Sequence, residues 1–443
     1  DDTLGSKSVA VGFAALENQN FTTATDSFNV AVGHSAGAAV TTGQNNVIVG
    51  SLAADALTVG GKNTAIGDQA LSTDTLGSRS TAVGFGALFT QNFSTATDTF
   101  NVAVGTNAGL SVTTGIKNVL VGANAGDALN TGTKNVAIGY LAQSADTKGF
   151  QNVAIGTAAL GSQNFTTEVS SYNVAIGDEA GTSVTTGIRN VLIGGLAGDA
   201  LTDSDQNVAV GYGALTADTL GKNSVAVGNN ALENQNFTTA TDTFNVAVGV
   251  NAGNAITTGA NNTLIGALAG DAITTSSSNT MVGTQAGTSL TSGDGTVFVG
   301  TSAGESTSTG AAGTLVGFQA GQFLTTGSNN VALGAKALKG ASTGATASNS
   351  VAIGAEAADA ITSGTSNVAV GYQALSTETS GSKSVAIGTQ ALLNQLQGAS
   401  AANTAVGDRA GLLTTDGIKN VYLGFDAALS ATTANKNVVI GSQ

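Results

Sequence analysis

Proline, cysteine and tryptophan are absent from the 443 residues, histidine and methionine occur once each, and only 9% of positions carry a charge. Each absence excludes something. Without cysteine there are no disulfides and no thiolate metal sites, and the chain suits a reducing or an oxidising compartment equally. The lone imidazole, His34, follows Gly33 with no second histidine or thiol to join it, so the convergent titratable groups of a catalytic centre are missing. No catalytic, metal or cofactor-binding residue is assigned on this reading, and no enzyme is expected.

Long hydrophobic runs are lacking too. None approaches the ~18 residues that cross a bilayer, so membrane insertion is not expected. The start, Asp1-Asp2-Thr3-Leu4-Gly5, has no signal-peptide layout, and the chain reads as a piece of a longer polypeptide. Basic residues number 14 against 28 acidic ones. The resulting net charge of −14 opposes contact with phosphate backbones, so nucleic acid is not an expected partner. Small glycine-alanine strings are frequent, but no phosphate-loop lysine follows them, so no nucleotide is expected either.

What is present is repetition. Glycine accounts for 62 residues and apolar types for 41%, mostly alanine and valine, too many for a disordered chain. Units such as Val30-Ala31-Val32-Gly33 and Val136-Ala137-Ile138-Gly139 end on an anchor glycine, and there are twenty-five anchors from Gly12 to Gly441. Of the twenty-four intervals between them, eighteen are 17 residues, four are 21, and the remaining two are 20 and 19. The residue before each anchor is aliphatic and the one three before is valine or threonine, which is strand chemistry. A second glycine ten after the anchor, as in Gly43, Gly60 and Gly115, reads as a corner with positive φ. The pattern predicts an all-β chain: a parallel β-solenoid, or β-roll, of about 25 turns of mainly 17 residues with two short strands per turn. At ~4.8 Å per turn the stack would be ~120 Å long.

Asparagine stands four before the anchor in eighteen of the twenty-five turns (Asn29, Asn46, Asn63, Asn101 and onward), which predicts an amide ladder at one corner. Within each strand the first and third residues are read as facing inward. The middle one, alanine in sixteen turns, is read as facing outward under the cover of another chain, so a homo-oligomer is expected. An aspartate at Val136 would then open the stack. A single continuous solenoid over 1–443 is expected, with 72-residue superrepeats within 1–300 and basic 17-residue turns with two irregular insertions within 301–443. The superrepeat's long turns carry paired aromatics, Phe21 and Phe28, Phe93 and Phe100, Phe165 and Tyr172, Phe237 and Phe244. They plug bulged turns or form contact ridges toward a receptor or neighbouring fibre.

The Asn-Val-Ala-Ile-Gly-x-x-Ala run, seen as Asn135-Val136-Ala137-Ile138-Gly139 with Ala142, resembles the head repeats of trimeric autotransporter adhesins over essentially the whole chain. Its longer turn and its frequent Thr41-Thr42-Gly43 type corners are similar to repetitive regions of phage tail fibre proteins. The resemblance implies a left-handed β-roll in a homotrimer. It further implies a structural rod in a phage tail fibre or virion appendage, on the virion surface, that spaces a receptor-binding tip from its base. The alternative is a bacterial cell-surface adhesin or extracellular filament subunit, and in either case a host or neighbouring cell surface is met through regions outside this chain.

Overall fold

The computed structural model describes residues 4–341, 344–398 and 400–442. The chain packs as two units, Asp1–Lys222 with Thr238–Ala240, and Asn223–Phe237 with Thr241–Gln443. Among the described residues there is no helix. Both units are parallel β-solenoids, together carrying twenty-five three-residue strands, one before each anchor glycine. In the first unit Val9–Val11 pairs with Val30–Val32, and the ladder runs on in register, Val119 on Val136, Leu120 on Ala137 and Val121 on Ile138. In the second it runs from Val225–Val227 on Val246–Val248 to Val421–Leu423 on Val438–Ile440. The second strand of a turn is regular where a long turn follows or closes it: Gly5–Ser6 pairs with Thr25–Asp26, Gly77–Ser78 with Thr97–Asp98, and Gly149–Phe150 with Val169–Ser170.

Why these turns close follows from two kinds of glycine. Gly139 has φ 140°, and a Cβ there would sit 2.3 Å from the Gly156 carbonyl oxygen of the next turn, so the anchor needs glycine for conformation and for stacking alike. Gly43 differs from the sequence expectation. Its φ is not positive; what it needs is space, because a Cβ would lie 2.4 Å from the Gly60 oxygen. The positive-φ corners are mostly occupied by other residues, among them Lys62 (φ 61°), Gln69 (φ 60°) and Leu71 (φ 56°).

The two strand faces are the reverse of the expected ones. The middle residue points inward: Ala137, Leu120 and Leu192 are wholly buried, whereas Val136 and Ile138 on either side are half-buried. The reason is space. A 17-residue turn encloses so narrow an interior that alanine, or one longer side chain facing glycine, fills it, while β-branched residues stack on the roomier outside. Interior volume is traded between successive turns. Gly109 is wedged between Leu88 of the turn before and Leu120 of the strand after, at 3.0 and 2.7 Å from where its Cβ would be. Gly37 stands likewise between Leu16 and Ile48, Gly181 between Leu160 and Leu192, and Gly253 between Leu232 and Leu264.

Candidate functional site

The asparagine corner is a ladder, but it is built from side chain to backbone. Asn46 donates its backbone N–H to Asn29 Oδ1 at 3.0 Å and its Nδ2 to the Gly60 carbonyl at 3.0 Å; Asn63 repeats both bonds at 2.9 and 3.0 Å. Each buried amide thus satisfies one backbone donor of its successor and one acceptor near the second glycine of the turn, leaving little unpaired. This corner is structural and closed to ligands.

Buried acids mark the long turns. Asp74, Asp146, Asp218 and Glu378 have no exposed surface, and each stands seven after an anchor in the turn preceding an insertion. Gln91 Nε2 donates to Asp74 Oδ2 at 2.6 Å and to Ser80 Oγ at 2.8 Å, Gly77 N donates to Asp74 Oδ1 at 2.9 Å, and Asn101 Nδ2 donates to Gln91 Oε1 at 2.8 Å. The same lock recurs as Gln163 on Asp146 at 2.7 Å and Gln395 on Glu378 at 2.9 Å. Burial raises the Asp74 carboxyl above its ordinary range, against the opposing hydrogen bonds from Gln91 and the backbone of Gly77, Phe93 and Leu76. These carboxylates hold the bulged turn in place and do not open to solvent. The signal was in the sequence, an acid one turn ahead of every such glutamine, within the superrepeats and again at Glu378 and Gln395.

The aromatic pairs divide. Phe21, Phe93, Phe165 and Phe237 are buried and plug the bulge, while Phe28, Phe100, Tyr172 and Phe244 are about half exposed. Lys7 lies over the Phe28 ring at 5.1 Å and Arg79 over Phe100 at 5.3 Å, and the same cations pair with Asp26 at 2.7 Å and Asp98 at 3.0 Å. A second set of exposed aromatics, Phe13, Phe85, Tyr140, Tyr212, Phe318, Tyr372 and Phe425, occupies the slot just after the anchor. His34 shares that slot, exposed and stacked on Phe13 with centroids 5.5 Å apart.

The aspartates five after the anchor accept from hydroxyls of the next turn, Ser72 on Asp55 at 2.6 Å and Thr288 on Asp271 at 2.5 Å. Partial burial raises Asp127, Asp271 and Asp359. Among the described residues no three acidic or imidazole groups gather to hold a metal ion. Threonines of the eighth position donate along the ladder, Thr58 to the Thr75 carbonyl at 2.8 Å, so their hydroxyls are engaged within the chain.

The outward strand face is the most extensive feature. Its columns are valine, isoleucine or threonine, with leucine at Leu333 and Leu423, half-buried at most positions and exposed at others, among them Val32, Val47, Ile66, Val104, Ile265 and Ile387. No charge interrupts it. No family model matches the chain, and no curated protein matches it.

Proposed function

We propose that this chain is the structural rod of a homotrimeric fibre, a phage tail fibre or virion appendage that spaces a receptor-binding tip from its base. The observation that carries the reading is the uncharged aliphatic stripe on the outward strand face. Water-exposed Val and Ile columns of this extent call for cover. A compact partner covers ~800 Å² per side, a few turns' worth. The stripe continues through the successive strands of each unit, so what matches it throughout is a surface with the same rise per turn, a further copy of the chain. The number three comes from the resemblance to adhesin heads and tail fibres. Stability in such a stack is close to additive over turns, which suits a spacer of fixed length.

An adhesin or extracellular filament is the second reading, favoured by the half-exposed Phe28, Phe100, Tyr172 and Phe244, which a bare spacer has no use for. Light scattering on the purified chain tests the first: three times the chain mass supports it, and a monomer at micromolar concentration (~1–10 μM) overturns it.

A further inference from the structure

A different surface carries a binding site that does not depend on the fibre reading. Five residues before the anchor, the fourth to eighth turns present Lys62, Arg79, Phe100, Lys117 and Lys134. All are exposed and have positive φ, between 51° and 64°. The backbone stacks them: Arg79 N donates to Gly61 O, Lys117 N to Thr99 O and Lys134 N to Ile116 O. Successive members are therefore ~4.8 Å apart along the ladder. Nine of the chain's fourteen basic residues stand five before an anchor, and four of them fall in these five successive turns.

Among the described residues no carboxylate pairs with the ammonium groups of Lys62, Lys117 or Lys134; only Arg79 is neutralised, by Asp98. The fold does not demand cations here. In the second unit Asn261, Ser278, Ala312 and Asn329 hold the same position with the same left-handed backbone, φ 55–63°. Beside Lys62 and Arg79 opens a cleft of ≈ 230 Å³ whose walls add the Thr42 and Ser78 hydroxyls, the Gln44 and Asn45 amides and the Asp98 carboxylate that pairs with Arg79.

We propose that this corner is a docking track for an extended acidic polysaccharide. The unpaired ammonium groups stand three turns apart from Lys62 to Lys117 and one turn apart from Lys117 to Lys134, whole multiples of the turn, and a polymer that bears one carboxylate per sugar ring has a spacing of the same order as a turn. The amides and hydroxyls of the cleft suit ring hydroxyls, and the half-exposed Phe100 offers an apolar face to sugar C–H groups. The track is one residue wide in a chain of net charge −14, which disfavours the broad phosphate array of a duplex.

The test is fluorescence anisotropy of a fluorescein-labelled polygalacturonate oligomer titrated with the full chain. Saturable binding is expected that weakens with added salt and falls at least ~tenfold in the Lys62→Ser, Lys117→Asn, Lys134→Asn triple variant. Those replacements copy residues the second unit already uses at this position, and an unchanged circular dichroism spectrum confirms the fold. Lys419→Asn with Lys436→Asn, in the same column but apart from the cleft, is expected to bind as the parent does. Absence of saturable binding, or a triple variant that binds equally well, overturns the proposal. Equal or tighter binding of a single-stranded oligothymidylate of the same charge overturns the assignment to a glycan.

Discussion

An anchor glycine in this chain is constrained by its neighbour one turn away more than by its own turn. Gly139→Ala sets a Cβ against the Gly156 carbonyl at a φ of 140° and is expected to cost ~2–4 kcal/mol, read as a lowered denaturant midpoint. Gly398, with nothing within 4 Å of its Cβ position, is expected to accept alanine within ~0.5 kcal/mol. Carboxylates carry a second residue-level expectation. Asp74, Asp127, Asp271 and Asp359 are all raised by burial above the ordinary 3.8. Between that value and the raised ones the native chain keeps protons that the unfolded chain has lost, so stability falls as pH rises through the window and is gained on acidification toward pH ~4. Asp26, lowered by its hydrogen bonds to Lys7 and Ser6, acts in the opposite sense but is fully exposed and weak. Urea midpoints measured across this range check the sign, and Asp→Asn at 127, 271 and 359 is expected to flatten the dependence.

Turns are coupled through their interiors. Gly109→Ala is expected to destabilise by pressing on Leu88 and Leu120, and Leu120→Ala to destabilise by leaving a cavity. Combined, they are expected to cost less than their sum by ~1 kcal/mol or more, a coupling that a double-mutant cycle in urea measures. The repeat, its 17-residue turn and its parallel stacking were legible from the anchor spacing, because a strict period with β-branched residues beside a glycine leaves few alternatives. Which face points inward was not. Val136 and Ala137 are both apolar, so polarity does not distinguish their sides, and the decision rests on volume: the interior admits Ala137 and excludes a column of Val136 equivalents. The half-exposed Phe28 and the buried Phe21 were likewise indistinguishable as residue types; the lock between Gln91 and Asp74, three-dimensional by nature, fixes which side of the bulge each copy of the pair occupies.

For the molecule as a whole, the reversed faces turn one substitution into a test of assembly. Val136→Asp places a carboxylate on the outward stripe and is expected to leave each chain folded while lowering the mass seen by light scattering; Ala137→Asp buries the charge and is expected to unfold the turn, with new protease cleavage around it. The track of Lys62, Arg79, Lys117 and Lys134 was visible in the sequence as regular charge at a corner, but only the cleft and the unpaired ammonium groups distinguish it from a solvated edge. The wedged glycines bear on ancestry as well. Because Gly37, Gly109, Gly181 and Gly253 each need a large residue from the turn before and another from the strand after, a single turn gained or lost by recombination leaves a void or a collision. A block of four turns carries both neighbours with it, so lineages that lengthen or shorten this protein should do so in steps of 72 residues.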